Sequence, residues 1–269
     1  MMKDIHILFI GAGRMAEAIF SGILQKEKDI HITVSNEKDV QRLKSLKEQY
    51  EINTTTDWLS VLHEVDVVLL ACPPSAHDEV LTKMNTHIRS NQFVITVAAG
   101  IGPSTLERYL TDKTPVAWLM PNTAADVGKS MSIYAFGKHV KNEHVVHFNK
   151  IVSAIGASEQ LSEQQVHDLT AITGSAPAFL YHFIESLEDS AHTYGITKKQ
   201  ARKLVTEMII GSAAMLDKHR DPMKLRDQVT SPGGATAAGL SLLAENQFAT
   251  LINKAVQATN ERAKQQGNK

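Results

Sequence analysis

The sequence contains a single cysteine, Cys72, so an intramolecular disulfide is excluded. It also lacks an excess of charge, with a formal net charge of −1 at pH 7 and no block of like charges, which gives no footprint for nucleic acid or an anionic membrane surface. No apolar run reaches about 18 residues, the length that a membrane-spanning helix needs. The N-terminal residues show no basic leader with a cleavage site. We therefore expect a small-molecule ligand, neither nucleic acid nor membrane as a partner, and a cytoplasmic protein.

Length and composition suit two domains, because a chain of 269 residues with 43% hydrophobic residues usually divides once. Strand and helix patterns alternate up to Ser162, and only helical patterns follow. The expected fold class is therefore α/β. A Rossmann-type dinucleotide-binding domain is predicted over residues 1–162, followed by an all-α substrate-binding and dimerisation domain over residues 163–269.

Short apolar runs predict the strands of the first half, because strands of a parallel sheet are buried on both faces. Helical patterns separate these runs, which favours a doubly wound parallel sheet. The predicted strands cover residues 5–10, 31–34, 66–71, 93–97, 116–119 and 131–136.

The helical patterns of the second half are apolar around most of their girth. One stripe contains Phe179, Phe183 and Leu187, and similar stripes run through 204–216 and 240–256. Such helices must be buried on several sides, which a second copy of the chain achieves more easily than one copy alone. We expect a homodimer or a higher homo-oligomer.

A glycine-rich turn follows the first predicted strand. Gly11, Gly13 and Ala16 form the GxGxxA pattern. In it the first glycine makes a tight turn, the second admits a pyrophosphate, and the alanine lets the helix approach the strand. Because the motif lies between a strand and a helix and several βα units follow, it predicts a dinucleotide site.

The end of the second predicted strand determines the expected cofactor. NAD-preferring sites carry an acidic residue there, which binds the ribose hydroxyls. Ser35 and Asn36 stand at this point, and both can hydrogen-bond a 2′-phosphate without repelling it. Arg14 and Lys38 add positive charge, whereas Glu37 argues in the other direction. We expect NADPH, with NADH as the alternative donor.

Residues 231–236, Ser-Pro-Gly-Gly-Ala-Thr, precede another helical run. A helix that begins there leaves backbone N–H groups free, and such groups stabilise an anion. An ordinary helix start needs only one Ser, Thr, Asp or Asn. The loop therefore indicates a carboxylate site.

Nearly the whole chain resembles the pyrroline-5-carboxylate reductase family, which makes proline by reducing a cyclic imine. The segments that carry the resemblance occur in the family's order: Gly11 to Ala16, Ala71-Cys72-Pro73-Pro74, Ala98-Ala99-Gly100, Met120-Pro121-Asn122-Thr123, Thr173 to Ala178, and Ser231 to Thr236. Pro73 departs from the lysine of the family, which removes a donor near the cofactor phosphates. The family also commonly has other residues at the positions of Ala124, Thr173 and Ala176.

The resemblance implies that NADPH reduces 1-pyrroline-5-carboxylate to L-proline, the last step of proline biosynthesis. The cofactor carries the hard step, so the protein has to orient and desolvate the ring. Thr236 is expected to be the catalytic hydroxyl on the ring nitrogen, while the N–H groups of Gly233 and Gly234 hold the carboxylate. The implied substrate-binding residues are Gly174, Ser175, Ser231, Gly233, Gly234, Ala235 and Thr236. The implied cofactor-binding residues are Gly11, Gly13, Arg14, Met15, Ser35, Asn36, Ala71, Cys72, Pro73, Ala98, Ala99, Gly100 and Asn122.

Two other functions stay open from the sequence. A dehydrogenase acting on β-hydroxy acids shares the two-domain plan, but it needs a catalytic lysine in a motif that Lys198, Lys199 and Lys203 do not form. A nucleotide-sensing protein would keep the carboxylate loop without turnover. An assay of NADPH oxidation with pyrroline-5-carboxylate separates these functions.

The cysteine and the clustered histidines are expected to carry no chemistry. Cys72 has no evident histidine or aspartate partner, which favours a buried spectator. His139, His144 and His147 are interpreted as surface residues, because a metal site usually needs three or four ligands. No metal is expected.

Overall fold

The computed structural model describes residues 4–111 and 113–267, and its first half contains one eight-stranded sheet. The strands are β1 Ile5–Ile10, β2 Ile30–Ser35, β3 Asn53–Thr55, β4 Val67–Leu70, β5 Phe93–Thr96, β6 Val116–Met120, β7 Ser130–Phe136 and β8 Gly156–Gln160. Their order across the sheet is β3-β2-β1-β4-β5-β6-β7-β8. The order reverses between β1 and β4, and ligands of such sheets bind at the carboxyl ends of the strands beside the reversal.

The described residues also contain twelve α-helices. They are α1 Arg14–Lys26, α2 Val40–Tyr50, α3 Trp58–Val61, α4 His77–Asn85, α5 Pro103–Tyr109, α6 Asn142–Ile155, α7 Glu163–Thr170, α8 Ala176–His192, α9 Lys198–His219, α10 Pro222–Gln228, α11 Ala235–Glu245 and α12 Phe248–Gly267. A π-helical turn, Ala171–Ser175, joins α7 to α8.

Alternate side chains of the strands face two separate cores. Ile7 and Phe9 of β1 pack with α1, α2 and α6, whereas Leu8 and Ile10 pack with α4 and α5. Because neighbouring residues of a strand point to opposite faces, a strand covered on both sides is apolar throughout. The first half is therefore a sheet with helices on both faces, which confirms the predicted Rossmann-type fold.

All six predicted strands are present, with ends that differ by no more than one residue from the prediction. The sequence did not predict β3 and β8, which lie at the two edges of the sheet and carry few apolar side chains. β7 runs antiparallel to β6, and β8 runs parallel to β7. The prediction of a wholly parallel sheet is therefore wrong at this edge.

The described chain divides into two compact units, of which the second is Ser175–Ala258. This unit consists of helices alone, in agreement with the predicted all-α character of the second half. Among its described residues, Ala201 and Val205 are the only apolar side chains that are buried. Its exposed large apolar side chains include Leu180, Phe183, Leu204, Met208, Ile210, Met215, Leu216, Leu242, Leu243, Phe248, Leu251 and Ile252. The unit thus leaves most of its apolar surface uncovered.

The first compact unit continues through Gly174 and also takes up Thr259–Gly267. It includes α7 because Val166 of that helix is buried in one cluster with Trp118. The compact units thus divide the chain at other points than the predicted domains, 1–162 and 163–269. Residues 1–3 and 268–269 of those predicted domains lie outside the described residues.

Within residues 4–111 and 113–267, no helix combines the length and the apolarity that a membrane span requires.

Candidate active site

The turn between β1 and α1 fits tightly between the ends of two other strands. Gly11 has φ 114°, and its N–H donates to the carbonyl of Ser35 at 2.9 Å. A Cβ on Gly11 would lie 2.6 Å from the carbonyl oxygen of Ala71. Only glycine accommodates both this backbone conformation and this close approach.

The start of α1 offers the donors that a pyrophosphate needs. Gly13 is the N-cap and no side chain caps the helix. Among the described residues, no acceptor pairs with the N–H groups of Arg14, Met15 and Ala16. Apart from its chain neighbours, no described residue has an atom within 4 Å of a Cβ added to Gly13, so the space beside these groups is open. These residues fit a bound dinucleotide, whose phosphates are stabilised at a helix N-terminus.

An ion pair that the sequence did not indicate secures this turn. Arg42 of α2 donates from Nε to the carbonyl of Ala12 at 3.1 Å, and its guanidinium pairs with the Glu17 carboxylate. The hydroxyl of Tyr50 donates to the same carboxylate at 3.0 Å. Burial, followed by the bond to Glu17, raises the pKa of Tyr50, which keeps the phenol protonated as a donor. Arg42 thereby ties α2 to the glycine turn.

The two residues at the end of β2 differ in access. Ser35 is 1% exposed, and its hydroxyl is buried without a hydrogen-bond partner among the described residues. Asn36 is half-buried, and its Oδ1 accepts from the N–H groups of Lys38 and Asp39 at 3.0 and 3.1 Å. The side-chain nitrogen Nδ2 of Asn36 makes no hydrogen bond with a described residue, so it remains available as a donor. At this point, Asn36 is better placed than Ser35 to meet a ligand.

The turn after β4 contains Ala71, Cys72 and Pro73, and a histidine lies beneath it. His77 Nδ1 is 3.1 Å from the carbonyl of Pro73 and 3.7 Å from the Cys72 sulfur. Burial raises the pKa of the Cys72 thiol to about 11, so the thiol stays protonated. The sequence interpretation missed this histidine neighbour, but Cys72 is no nucleophile because only the thiolate attacks.

The turn after β5 contains Ala98, Ala99 and Gly100, and buried side chains hold its backbone. The N–H of Ala98 donates to Thr96 Oγ1 at 3.1 Å, and the carbonyl of Ala98 accepts from Trp118 Nε1 at 2.9 Å. His77 Nε2 lies 2.9 Å from the same threonine oxygen. The sequence reasoning did not select His77, Thr96 or Trp118. For His77 a signal existed, because it shares the buried i, i+4, i+7 face of α4 with Leu81 and Met84.

Asn122 connects two of the motif segments. Its Nδ2 donates to the carbonyl of Thr173 at 2.9 Å, and its Oδ1 accepts from the N–H of Ala124 at 3.0 Å. The π-helical turn that holds Thr173 continues directly into Gly174 and Ser175. The hydroxyl of Thr173 is buried and lacks a partner among the described residues. Turns of this type occur mostly at functional sites, which favours a ligand near this segment.

The loop before α11 is a tight turn. The N–H of Gly234 donates to the carbonyl of Ser231 at 3.0 Å, and Gly233, at the third position, has φ 72°. Proline at the second position and glycine at the third are typical of a type II turn. Because the turn already uses this donor, the predicted role of the Gly234 N–H in holding the carboxylate would require it to share that hydrogen bond.

Free donors follow one residue later, at the start of α11. Gly234 is the N-cap without a side-chain cap. No described residue accepts a hydrogen bond from the N–H groups of Ala235, Thr236 and Ala237. Thr236 is exposed on this chain, and its hydroxyl bonds to no described residue. The helix start thus presents three N–H donors and one hydroxyl, a set that suits a small molecule with a carboxylate.

The clustered histidines are not all surface residues. His144 is buried, its Nδ1 accepts from the N–H of Lys141 at 3.0 Å, and burial lowers its pKa. The interpretation of His144 as a surface residue is wrong because the side chain caps α6 from inside the core. Among residues 4–111 and 113–267, no three histidine, cysteine, aspartate or glutamate side chains are arranged to hold a metal.

Comparisons with known proteins agree with this geometry. The family model described as pyrroline-5-carboxylate reductase dimerisation matches residues 163–266. A second model, described as NADP oxidoreductase coenzyme F420-dependent, matches residues 6–100.

Whole-length relatives cover both halves. A pyrroline-5-carboxylate reductase of Staphylococcus aureus strain COL is 34% identical over 262 residues, which are 96% of each chain. Pyrroline-5-carboxylate reductase 2 of Bacillus subtilis strain 168 is 33% identical over 95% of this chain and 92% of its own. The crystal structure of a Plasmodium falciparum pyrroline carboxylate reductase with NADP bound superposes with a TM-score of 0.88 at 29% identity, covering 99% of this chain and all of that one. The chain therefore belongs to the pyrroline-5-carboxylate reductase family.

Proposed function

We propose that this protein reduces 1-pyrroline-5-carboxylate to L-proline with a hydride from NADPH. The observation that carries the proposal is the start of α11, where three N–H donors without acceptors among the described residues and the Thr236 hydroxyl face outward from one helix turn. The names of the relatives support the same reaction.

The dinucleotide is held by the first unit. In this proposal the pyrophosphate meets the N–H groups of Arg14 and Met15 in front of Gly13, where the backbone leaves open space. The turn Ala71–Pro73 lies along the phosphates, whereas the turn Ala98–Gly100 and Asn122 surround the nicotinamide end. The second hydrogen on Asn122 Nδ2 remains for a ligand, since one is engaged by Thr173. The bound NADPH would supply the hydride, and the protein has to orient and desolvate the ring.

In this proposal, polar and charged side chains near the end of β2 recognise the 2′-phosphate of the cofactor. Asn36 Nδ2 is a donor without a described acceptor, and the side chains of Arg14 and Lys38 are exposed cations. We assign recognition to these three residues and give Ser35 a supporting position, because its hydroxyl is enclosed. The Plasmodium falciparum relative, whose crystal structure has NADP bound, supports this choice of cofactor.

The substrate is held by the carboxylate and oriented by the ring nitrogen. The N–H groups of Ala235, Thr236 and Ala237 bind the carboxylate, and Gly233 and Ser231 shape the turn that exposes them. Gly174 and Ser175 of the π-helical turn are also proposed to bind the substrate. With the imine nitrogen protonated, the electron pair of the C=N bond becomes the lone pair of the neutral amine nitrogen as the imine carbon receives the hydride. The Thr236 hydroxyl donates a hydrogen bond to this developing lone pair, which stabilises the transition state more than the ground state.

We also propose an oligomeric state and a cellular location for the protein. A second copy covers the exposed apolar side chains of Ser175–Ala258, so the protein works as a homodimer or a higher homo-oligomer. Residues 163–269 act as the substrate-binding and dimerisation domain, and residues 1–162 as the dinucleotide-binding domain. With Cys72 as its one thiol and no disulfide, the protein suits the reducing cytoplasm.

The substitution Thr236→Ala tests the chemistry. Loss of one oriented donor costs about 2–3 kcal/mol of transition-state stabilisation, which corresponds to a fall in kcat of roughly 30- to 150-fold. The KM for NADPH should stay within twofold, because the hydroxyl contacts only the substrate. Steady-state kinetics with pyrroline-5-carboxylate and NADPH measure both constants.

Two variants in the same helix control this experiment. Thr236→Ser keeps a hydroxyl and should recover most of the activity, whereas Ser241→Ala removes an exposed hydroxyl elsewhere on α11 and should change little. If Thr236→Ala leaves kcat and KM within twofold of the parent under chemistry-limited conditions, Thr236 only starts the helix and the proposed mechanism fails.

The substitution Asn36→Asp tests the cofactor preference. Aspartate keeps the Oδ1 acceptor that serves Lys38 and Asp39, but it replaces the free amide donor with a negative charge. Repulsion of the 2′-phosphate should lower the ratio of kcat/KM for NADPH over NADH about tenfold or more. Glu37→Gln, which removes a charge beside it, should move the ratio the other way. A parent protein that already prefers NADH would overturn this assignment.

A further inference from the structure

A chain of buried hydrogen bonds runs beneath the two turns assigned to the cofactor. It begins at the carbonyl of Pro73 after β4, passes through His77 and Thr96, and ends at the backbone of Ala98 after β5. Trp118 of β6 extends it by donating from Nε1 to the carbonyl of Ala98. His77, Thr96 and Trp118 are all 0% exposed. The three side chains connect the turns after β4 and β5 to each other and to the neighbouring strand β6.

The chemistry of the partners fixes the direction of each bond. The carbonyl of Pro73 only accepts, so His77 Nδ1 carries the hydrogen and donates to it at 3.1 Å. Nε2 of the neutral imidazole then accepts, and the Thr96 hydroxyl is the donor at 2.9 Å. The oxygen of that hydroxyl still accepts the N–H of Ala98 at 3.1 Å. Burial lowers the pKa of His77, in keeping with a neutral ring.

The position of the chain of hydrogen bonds explains why a histidine stands at residue 77. Proline has no N–H, so the turn at Pro73 has lost one means of anchoring its backbone. The imidazole anchors that turn through the carbonyl instead, and the same ring reaches the strand that carries the second turn. The ring is fully enclosed, which leaves it no contact with substrate. Its effect therefore acts through the two turns.

We propose that His77, with Thr96, is a positioning residue that holds the turns Ala71–Pro73 and Ala98–Gly100 at a fixed separation, so that the dinucleotide finds a preformed site. This inference rests on the proposed function only in taking these turns as the cofactor-binding turns. It assigns to His77 neither proton transfer nor substrate contact. The preformed site lowers the cost of ordering the backbone when the dinucleotide binds.

Thr96→Val tests the proposal with the least disturbance. Valine keeps the β-branched shape in the strand and removes the hydroxyl that serves both His77 and Ala98. The dissociation constant for NADPH, measured by calorimetry on the full-length protein without substrate, should rise about tenfold, the size of one buried hydrogen bond. Thr114→Val is the matched control, because it likewise removes the hydroxyl of a buried threonine that forms a hydrogen bond. The Thr114 hydroxyl donates to the carbonyl of Thr111 at 2.9 Å. This control should leave the dissociation constant within twofold.

Variants of His77 separate its two bonds. His77→Leu removes both and should weaken NADPH binding at least as much as Thr96→Val. His77→Asn places an amide donor near the Pro73 carbonyl and should restore part of the affinity. The thermal midpoint of each variant without nucleotide shows whether a loss of affinity follows from general destabilisation.

The positioning role and a merely structural role give different results. A loss of NADPH affinity with Thr96→Val that Thr114→Val does not share, at similar thermal midpoints, supports the positioning role. An affinity within twofold of the parent for Thr96→Val, or an equal loss for Thr114→Val, overturns it. Because the measured quantity is dinucleotide affinity, a failure of the proposed substrate would leave this test intact, and a failure of this test would leave the substrate assignment intact.

Discussion

The two compact units of this chain bury their apolar residues to very different extents. In the unit that carries the sheet, the strands and the helices on both faces enclose two large apolar cores. Among the described apolar side chains of Ser175–Ala258, only Ala201 and Val205 are buried, although its helices are as rich in leucine, isoleucine and methionine. Burial of apolar area is the main favourable contribution to folding. The sheet unit supplies that burial by itself, whereas the helical unit as a single copy does not.

This difference in burial bears on the proposed binding site in each unit. A self-sufficient core gives rigid strand ends, and the turns that we propose to bind the cofactor lie at those ends. A helical unit that needs a second copy couples its own folding to assembly, so its stability depends on protein concentration. The helix start that receives the substrate in our proposal belongs to this second kind of structure. Substrate binding is therefore expected to require the assembled protein.

The substitution Ile210→Glu should have the largest effect. Ile210 is 57% exposed on α9, and assembly would bury a glutamate there without a partner. We expect the molar mass measured by light scattering to fall to that of one chain, with a loss of most reductase activity and a thermal midpoint lower by about 5 °C or more.

Val146→Glu supplies the control in the sheet unit. Val146 is 48% exposed on α6, a helix whose buried face packs on the sheet. A charge there remains in water, so mass, activity and thermal midpoint should stay near those of the parent. If both variants remain oligomeric, the apolar side chains of α9 do not form the interface and the comparison between the units loses its basis.

The strands with an apolar pattern could be predicted from the sequence. The polar edge strands and the direction of β7 could not. Six strands were found because each is an apolar run that two helical layers must cover. β3, Asn53–Thr55, and β8, Gly156–Gln160, carry no such run, because an edge strand with one neighbour tolerates polar side chains. The antiparallel direction of β7 follows from the chain path before it, Thr123–Val127, which the periodicity of β7 does not encode.

For the candidate site, the sequence located the segments but not the atoms. The loop 231–236 was identified, yet the turn uses the N–H of Gly234 and frees those of Ala235 to Ala237. Ser35 was selected for its hydroxyl, and the fold encloses that hydroxyl. At the loop the turn already uses one backbone N–H, and at Ser35 the fold buries the hydroxyl; residue types alone specify neither outcome.

A pair of glycines gives the next largest effect. A Cβ on Gly11, in the sheet unit, would lie 2.6 Å from a backbone oxygen of Ala71, so Gly11→Ala should lower the free energy of unfolding by about 2 kcal/mol or more without nucleotide. Among the described residues outside the adjacent turns of α9, no atom lies within 4 Å of such a Cβ on Gly211. Alanine in an exposed helix is about 1 kcal/mol better than glycine.

We expect Gly211→Ala to weaken the assembly nonetheless, because Gly211-Ser212-Ala213-Ala214 allows a close approach of another helix. The dissociation constant of the oligomer, measured by sedimentation at several concentrations, should rise severalfold. An increase in stability of about 1 kcal/mol with unchanged association, as helix propensity alone predicts, would mean that this part of α9 stays in water.

The smallest expected effect is a dependence of stability on pH that arises in the sheet unit. Burial lowers the pKa of both His77 and His144 below the ordinary value of 6.5. Glu143, which opposes this shift at His144, lies 3.6 Å from its Nε2. Below about pH 6.5 the unfolded chain binds protons at these histidines, whereas the folded chain binds them only at lower pH. Stability should therefore be unaffected by them above about pH 6.5 and fall as the pH drops from there towards the folded pKa values.

The slope of this fall is limited to about 1.4 kcal/mol per pH unit for each histidine. Urea unfolding of the parent between about pH 7.5 and about pH 5.5 measures it, and His144→Asn isolates one contribution. Asparagine keeps an acceptor for the N–H of Lys141, which His144 Nδ1 now serves at 3.0 Å, but it does not titrate. The variant should lose less stability than the parent over this pH range. Equal losses in the two proteins would show that His144 takes up its proton without opening the core, contrary to the burial of its ring.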